Sequence, residues 1–292
     1  MTPYMPGAAW KWRGVTNKAL EERPVGFLAK QSFISSSLRD VGYSKGFIMN
    51  LKLQGYIDLP VHIHDGGFDH AAVHRASQLL YVAHTSNDAV DIIDCSTDRY
   101  LRSIPNLTGV AGALVSDERD LIFTSNRGED TVSILSSDDE TDAVKISVGV
   151  RPNGLSFDPK RGLLLAANVG NPDILDSFTL SIVDIFQHKI IASIPVPGRT
   201  RWTIFDSQAD VFYVNIASPS QIVIVDANNP TAIAKAFDIP VEGPHGLDLD
   251  MQGHRLFCAC DGAQLVTLNA SSGNILSRLP LSGVPDVIFY NQ

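Results

Sequence analysis

Cysteine is scarce in this chain. Cys95, Cys258 and Cys260 make an odd set with no C-x-x-C spacing, so no disulfide framework or zinc clasp is expected and the thiols read as reduced. Long hydrophobic runs are missing too: no stretch of about 18 apolar residues occurs, and membrane insertion is not expected. Between the apolar segments there is no room for amphipathic helices of about ten residues, which argues against a parallel α/β fold. Positive charge is in deficit, with 23 Lys and Arg against 32 Asp and Glu and a net charge of -9. That sign repels phosphate backbones, so nucleic acid is not an expected partner. The N-terminal MTPYMPGAAWKWRGVTNKALEERPVGF carries scattered charges and no apolar segment of roughly 7–15 residues, so it does not read as a secretory signal. The default compartment is then the cytoplasm.

What the chain has instead is one sentence written several times. Residues 151 to 168, RPNGLSFDPKRGLLLAAN, run as an apolar strand, a tight polar turn and a second apolar strand. Equivalent units span Gly66 to Leu107, Thr108 to Gly149, Val150 to Gly198, Arg199 to Glu242 and Gly243 to Gly283, with lengths of 42, 42, 49, 44 and 41 residues. Each opens with a first strand (FDHAAVH, VAGALVS, PNGLSFD, RWTIFDS, PHGLDLD) and enters a more apolar second (LLYVAH, LIFTSN, LLLAAN, VFYVNI, RLFCAC). A β-branched third (AVDIID, TVSILS, LSIVDI, QIVIVD, LVTLNA) and a shorter fourth follow. Four short strands per unit of about 42 residues is the signature of a β-propeller blade, and the fold class expected is all-β with four-stranded antiparallel blades.

Five units leave chain over at both ends. VPDVIFYN, from Val284 to Asn291, restarts the repeat, and GFIMNLKLQGYIDLP, from Gly46 to Pro60, reads as a fourth strand without its partners. These suggest six blades, the last shared by the termini. The alternative is a seven-bladed ring drawing on the divergent segment 1–46. The propeller proper is assigned to 47–292.

In a propeller the loops before each first strand and after each second strand converge at one mouth of the central channel. Aligning the units on Asn153 puts Asp69, Ala111, Asn153, Arg201, His245 and Asp286 at one equivalent position, mostly polar or charged. Aligning on Asn168, at the end of the second strand, gathers His84, Asn126, Asn168, Asn215 (offset by one) and Cys260. His70 and Trp202 stand beside the first set. Together these residues predict a polar pocket that takes a small ligand, a protein partner or an ion. Asn and Asp beside Gly also satisfy turn backbone, which accounts for Asn126, Asn153 and Asn168 without a ligand. Five of the eight histidines lie within 23 residues, from His62 to His84, and His-x-His at His62 and His64 is a weak pointer to a transition metal. Cys258 and Cys260 alternate on one strand and are expected to share a buried face.

The second-strand motifs YVAH, FTSN, AAN and YVNI, the third-strand VDIID, VSIL and VIVD, and the fourth-strand SIPVPG resemble the YVTN-type, YncE-like β-propeller repeats, over roughly Leu51 to Asn291. The resemblance implies a binding or scaffold protein in a family whose members are often exported. The chain lacks a nucleophile elbow, a phosphate loop, H-E-x-x-H and a tight carboxylate pair, which favours binding over catalysis. The enzyme alternative is a metal-dependent lactonase resembling the gluconolactonase-like propellers, with Asp69, Asn153 and Asp286 as ligands of a divalent ion that polarises a carbonyl. Arg201 and His245 sit awkwardly in that ring, because a hard cation wants oxygen. Lyase chemistry like that of streptogramin-inactivating propellers would need a Glu beside His245, and Glu242 is the nearest.

Overall fold

Residues 53–138 and 143–291 are described by a computed structural model. They form five four-stranded antiparallel sheets, each in simple meander order. Blade 1 comprises β1 (Ala71–His74), β2 (Leu79–His84), β3 (Ala89–Asp94) and β4 (Arg99–Ile104). Blade 2 comprises β5 (Val110–Ser116), β6 (Leu121–Asn126), β7 (Thr131–Ser136) and β8 (Val144–Ser147). Blade 3 holds β9 (Pro152–Asp158), β10 (Leu163–Asn168), β11 (Thr179–Asp184) and β12 (Lys189–Pro195). Blade 4 holds β13 (Thr200–Asp206), β14 (Val211–Ile216), β15 (Gln221–Asp226) and β16 (Lys235–Asp238). Blade 5 ends the series with β17 (Pro244–Asp250), β18 (Arg255–Cys260), β19 (Gln264–Asn269) and β20 (Ile275–Pro280). The first strands neighbour one another in the order β1, β5, β9, β13, β17, which is the radial arrangement of a propeller.

The second and third strands are apolar on both sides because both sheet faces are covered. Alternate residues of β10 show this: Leu164 and Ala166 pack on Phe123 and Ile134 of blade 2, while Leu163, Leu165 and Ala167 pack on Phe212 and Val214 of blade 4. Each such leucine, valine, isoleucine or phenylalanine, fully buried, contributes about 1.5–3 kcal/mol. Fourth strands lie outermost and are largely exposed, as in β20. Away from the mouth the hairpins turn on a recurrent device, an Asp or Asn at a strand's end accepting from the backbone two residues on. Asp94 takes Ser96 N–H at 2.8 Å, Asp158 Lys160 at 2.9 Å, Asp184 Phe186 at 2.9 Å, Asp206 Gln208 at 2.9 Å and Asp226 Asn228 at 2.8 Å. These are Asx turns, and they absorb many of the chain's acids.

The described residues form five sheets, and the closing blade is not formed among them. Val284–Asn291 carries no strand pairing; it lies along β17, with Ile288 N 3.0 Å from where a Cβ on Gly246 would stand. Tyr290 donates its N–H to Asp248 and its ring stacks on Phe257 at 5.1 Å. At the other end, Leu59 packs on Val82 and Ile93 of blade 1, and only Asp58 is assigned an isolated bridge. Lone segments with one paired edge at most cannot propagate a ladder. The segment 1–46 and the strand start at Gly46 lie outside the described residues. No helix among those described is long and apolar enough to cross a membrane.

Blades 3 and 4 are clamped at the turn face by Arg161, whose guanidinium bonds Asp158 at 2.7 Å, Asp210 at 2.9 Å and Asn228 at 2.5 Å. Its Arg161→Ala variant is expected to lose on the order of 1–3 kcal/mol, read as a lower urea midpoint with unchanged slope.

Candidate functional site

In blades 2 to 5 the loop at the mouth is tied to its blade by one repeated hydrogen bond. The residue just past the second strand donates its N–H to the carbonyl shortly before the first: Arg127 to Gly109 at 3.1 Å, Val169 to Arg151 at 2.9 Å, Ala217 to Arg199 at 2.9 Å and Asp261 to Gly243 at 2.8 Å. In blades 2 to 5 the pairing of first and second strands then slips, between Val110 and Gly112, at Asn168 opposite Pro152, between Thr200 and Thr203, and between Pro244 and Gly246. Such bulges take a residue out of the ladder and re-aim its side chain. Asn153, Arg201 and His245 occupy those slips.

Three of the aligned residues meet, joined by Asp261. His245 Nδ1 lies 2.7 Å from Asp261 Oδ1, His245 Nε2 3.1 Å from Asp286 Oδ1 and 3.1 Å from Arg201 Nη1, and Arg201 Nη2 3.4 Å from Asp261 Oδ2. Blade 4, blade 5 and the C-terminal segment thus share one network. Its His245 hydrogen bond holds the Asp286 carboxyl below the usual carboxylate range, with burial opposing. Across the mouth Asp69 lies 3.5 Å from Arg127 and 3.3 Å from His70. Asn153 sits between, its Oδ1 buried without a hydrogen-bond partner.

One position further down the first strands come His70, Gly112, Gly154, Trp202 and Gly246. The glycines let neighbouring strands close in: a Cβ on Gly112 would stand 2.4 Å from the Asn153 carbonyl oxygen. His70 and Trp202, from opposite blades, fill the space so left, their rings edge to face at 4.4 Å. Beneath them a cavity of about 760 Å³ runs toward the turn face, walled by Leu114, Phe157, Ile204, Leu247 and Ile288, with Arg75, Asp117 and Asp248 also lining it.

The second-strand set lies elsewhere. His84, Asn126, Asn168 and Asn215 are fully buried. His84 Nδ1 is 2.7 Å from Asp91 Oδ2, Asn126 Nδ2 donates to Ser133 at 2.8 Å and Asn168 Nδ2 to Ser181 at 3.0 Å, all within their own blades. Ile216 and Cys260 hold the equivalent slot in blades 4 and 5, and Asn215 faces the other way to donate to the His245 carbonyl at 2.9 Å. These are cross-strand ties between sheets packed on both faces, away from the opening, although His84 Nε2 and Asn168 Oδ1 are buried without a hydrogen-bond partner. Cys258 and Cys260 do share a buried face, their sulfurs 3.7 Å apart, and the contact with Cys260, together with burial, pushes the Cys258 thiol up. Among the histidines, His62 packs on His84 at 5.0 Å, whereas His74 sits at the far end of β1 beside Asp120 at 3.3 Å. Among the described residues no group of three or more His, Cys, Asp or Glu is arranged to hold a metal ion.

Residues the alignment passed over complete the mouth. Arg127 and Asp261 each follow a second strand, and Arg151 and Arg199 fall where blades 2 and 5 carry Gly109 and Gly243. Gly109, Gly243 and also Arg151 adopt positive φ, at 60°, 67° and 56°. For a non-glycine residue this costs roughly 1–2 kcal/mol. Arg where sister units carry Gly was the signal in the sequence.

No family model and no curated protein matches the chain. Among solved structures it is similar in fold to Kuenenia stuttgartiensis hydrazine synthase, with a TM-score of 0.55 and 13% identity over 84% of this chain and 92% of that one. The likeness supports a propeller-like, all-β fold.

His70 has only 9% of its side chain exposed and faces Asp69, Asp286, Arg127 and His245. Burial, the largest cause, lowers its pKa below the ordinary 6.5, with Asp69 and Asp286 opposing. The unfolded chain therefore binds this proton more readily than the folded one. Stability from this group is complete above pH 6.5 and falls as the pH drops below it. Chemical denaturation at stepped pH should show that slope, and His70→Gln should remove it.

Proposed function

We propose that the protein is a ligand-binding propeller scaffold whose partner, a small molecule or a protein segment, docks at the channel mouth. The observation that carries this reading is the linked set Arg201, His245, Asp261 and Asp286, brought from three parts of the chain to one opening. A few polar groups converging from distant parts of the chain are what fixes a ligand's orientation in a binding site. The lactonase-type alternative is less well served. Two of its three proposed ligands are engaged, Asp69 with Arg127 and His70 and Asp286 with His245, and cationic side chains occupy the space a divalent ion would need. The YncE-like repeats agree with a scaffold role.

The same reading makes the ring six-bladed, its last blade shared by the chain ends. The Tyr290 contacts on blade 5 and Leu59 on blade 1 support this. Ending the chain after Gly283 removes the backbone donor to Asp248, whose pKa burial already raises, and the ring stacked on Phe257. That truncation is expected to lower the thermal midpoint by several degrees, and an unchanged midpoint would count against closure by this segment.

A thermal-shift screen of small metabolites tests the site. At 100-fold excess over Kd a ligand adds about 2.7 kcal/mol of stability. Hits should vanish in His245→Gln and persist in Asp117→Asn at the opposite face; hits indifferent to His245→Gln would overturn the assignment.

A further inference from the structure

The mouth carries more positive charge than its own acids use. Arg127, Arg151, Arg199 and Arg201 come from blades 2, 3 and 4 and act on one another electrostatically. Elsewhere this chain pairs arginine tightly: Arg75 with Asp117 at 2.7 Å, Arg161 with Asp158 at 2.7 Å, Arg255 with Asp250 at 2.6 Å. At the mouth the pairs are loose, 3.5 Å for Arg127 with Asp69 and 3.4 Å for Arg201 with Asp261. A charge-assisted contact is normally about 2.7–2.9 Å. Among the described residues Arg151 and Arg199 have no ion-pair partner, and the Nε atoms of Arg127 and Arg201 are buried without a hydrogen-bond partner. Arg151 moreover holds a strained backbone where two sister blades use glycine.

We infer that this arc of four arginines binds an oxyanion, the carboxylate or phosphate group of a small molecule, between blades 2 and 4. The inference rests on the reading of the mouth as the ligand site and names the chemistry of what enters it. Guanidinium groups present paired donors that match the two oxygens of either group, and an anion lying between them would relieve their mutual repulsion. That repulsion is felt at Arg199, where burial and then the charges of Arg201, Arg127 and Arg151 bring the pKa down to about 10. The acids Asp69, Asp261 and Asp286 stand on the other side of the mouth, in blade 1, blade 5 and the C-terminal segment. The anionic end of the ligand therefore faces blades 2 to 4.

Calorimetric titration of the full chain with inorganic phosphate, and separately with malonate, tests this against sodium chloride at matched ionic strength. One probe or both should bind with 1:1 stoichiometry, and the comparison tells phosphate from carboxylate. Affinity should fall about tenfold in Arg151→Gln and again in Arg199→Gln, the loss expected for one charged hydrogen-bonding contact. Arg151 and Arg199 serve the fold through backbone groups alone, so both variants should keep the native circular dichroism spectrum. Arg151→Gly is the discriminating variant: its melting temperature should rise as backbone strain is relieved, while anion binding weakens. Silence from both probes, or wild-type affinity in both glutamine variants, overturns the inference. If both probes are silent while neutral hits still depend on His245, the mouth stands and only the oxyanion falls.

Discussion

The rest of the structure depends on the burial of both faces of each blade. A four-stranded sheet with apolar residues pointing both ways, as in LLLAAN, has no stable place in water unless another sheet covers each side. Because β-sheets twist, successive sheets stack around an axis instead of in a flat pile. The clusters between blades 1 and 2, 2 and 3, 3 and 4, and 4 and 5 are four versions of one contact. Their geometry leaves the first strands innermost and carries residues more than a hundred positions apart to one rim.

Two kinds of polar chemistry are then sorted onto opposite ends. At the turn face, carboxylates and Asn269 are spent on backbone N–H groups and on tight arginine pairs, where they are structural. At the rim, bulges and a left-handed arginine lift side chains out of the ladder, and the charges there are only partly matched. A net charge of -9 consequently says little about the mouth. Several of the acids that set the sign are occupied in hairpins.

The strands were legible almost residue by residue. Eleven of the quoted segments, LLYVAH and RLFCAC among them, coincide with β-strands end to end, because alternation and turn residues act locally. The rim was legible in part. Arg201, His245 and Asp286 were singled out and do meet, since one repeat position maps to one place on a ring. Asn126 and Asn168 were placed at the opening by the same logic, yet they face a neighbouring blade: a strand's final residue points to either side, and parity with Ile122 and Leu164 decides which. Arg151 and Arg199 escaped because the alignment was anchored two residues further on. The closing blade could be suggested from its two segments but not paired, since pairing between chain ends depends on long-range contacts that no local pattern records.

The rings of His70 and Trp202 divide the axis into two chambers. Above them lies a shallow charged basin, below them a greasy shaft that opens at the other end. Solute entering the shaft passes the Arg75–Asp117 pair before it meets the aromatic edges, and solute in the basin finds a floor. Among the described residues the charged rim and the apolar cavity thus meet at one aromatic pair.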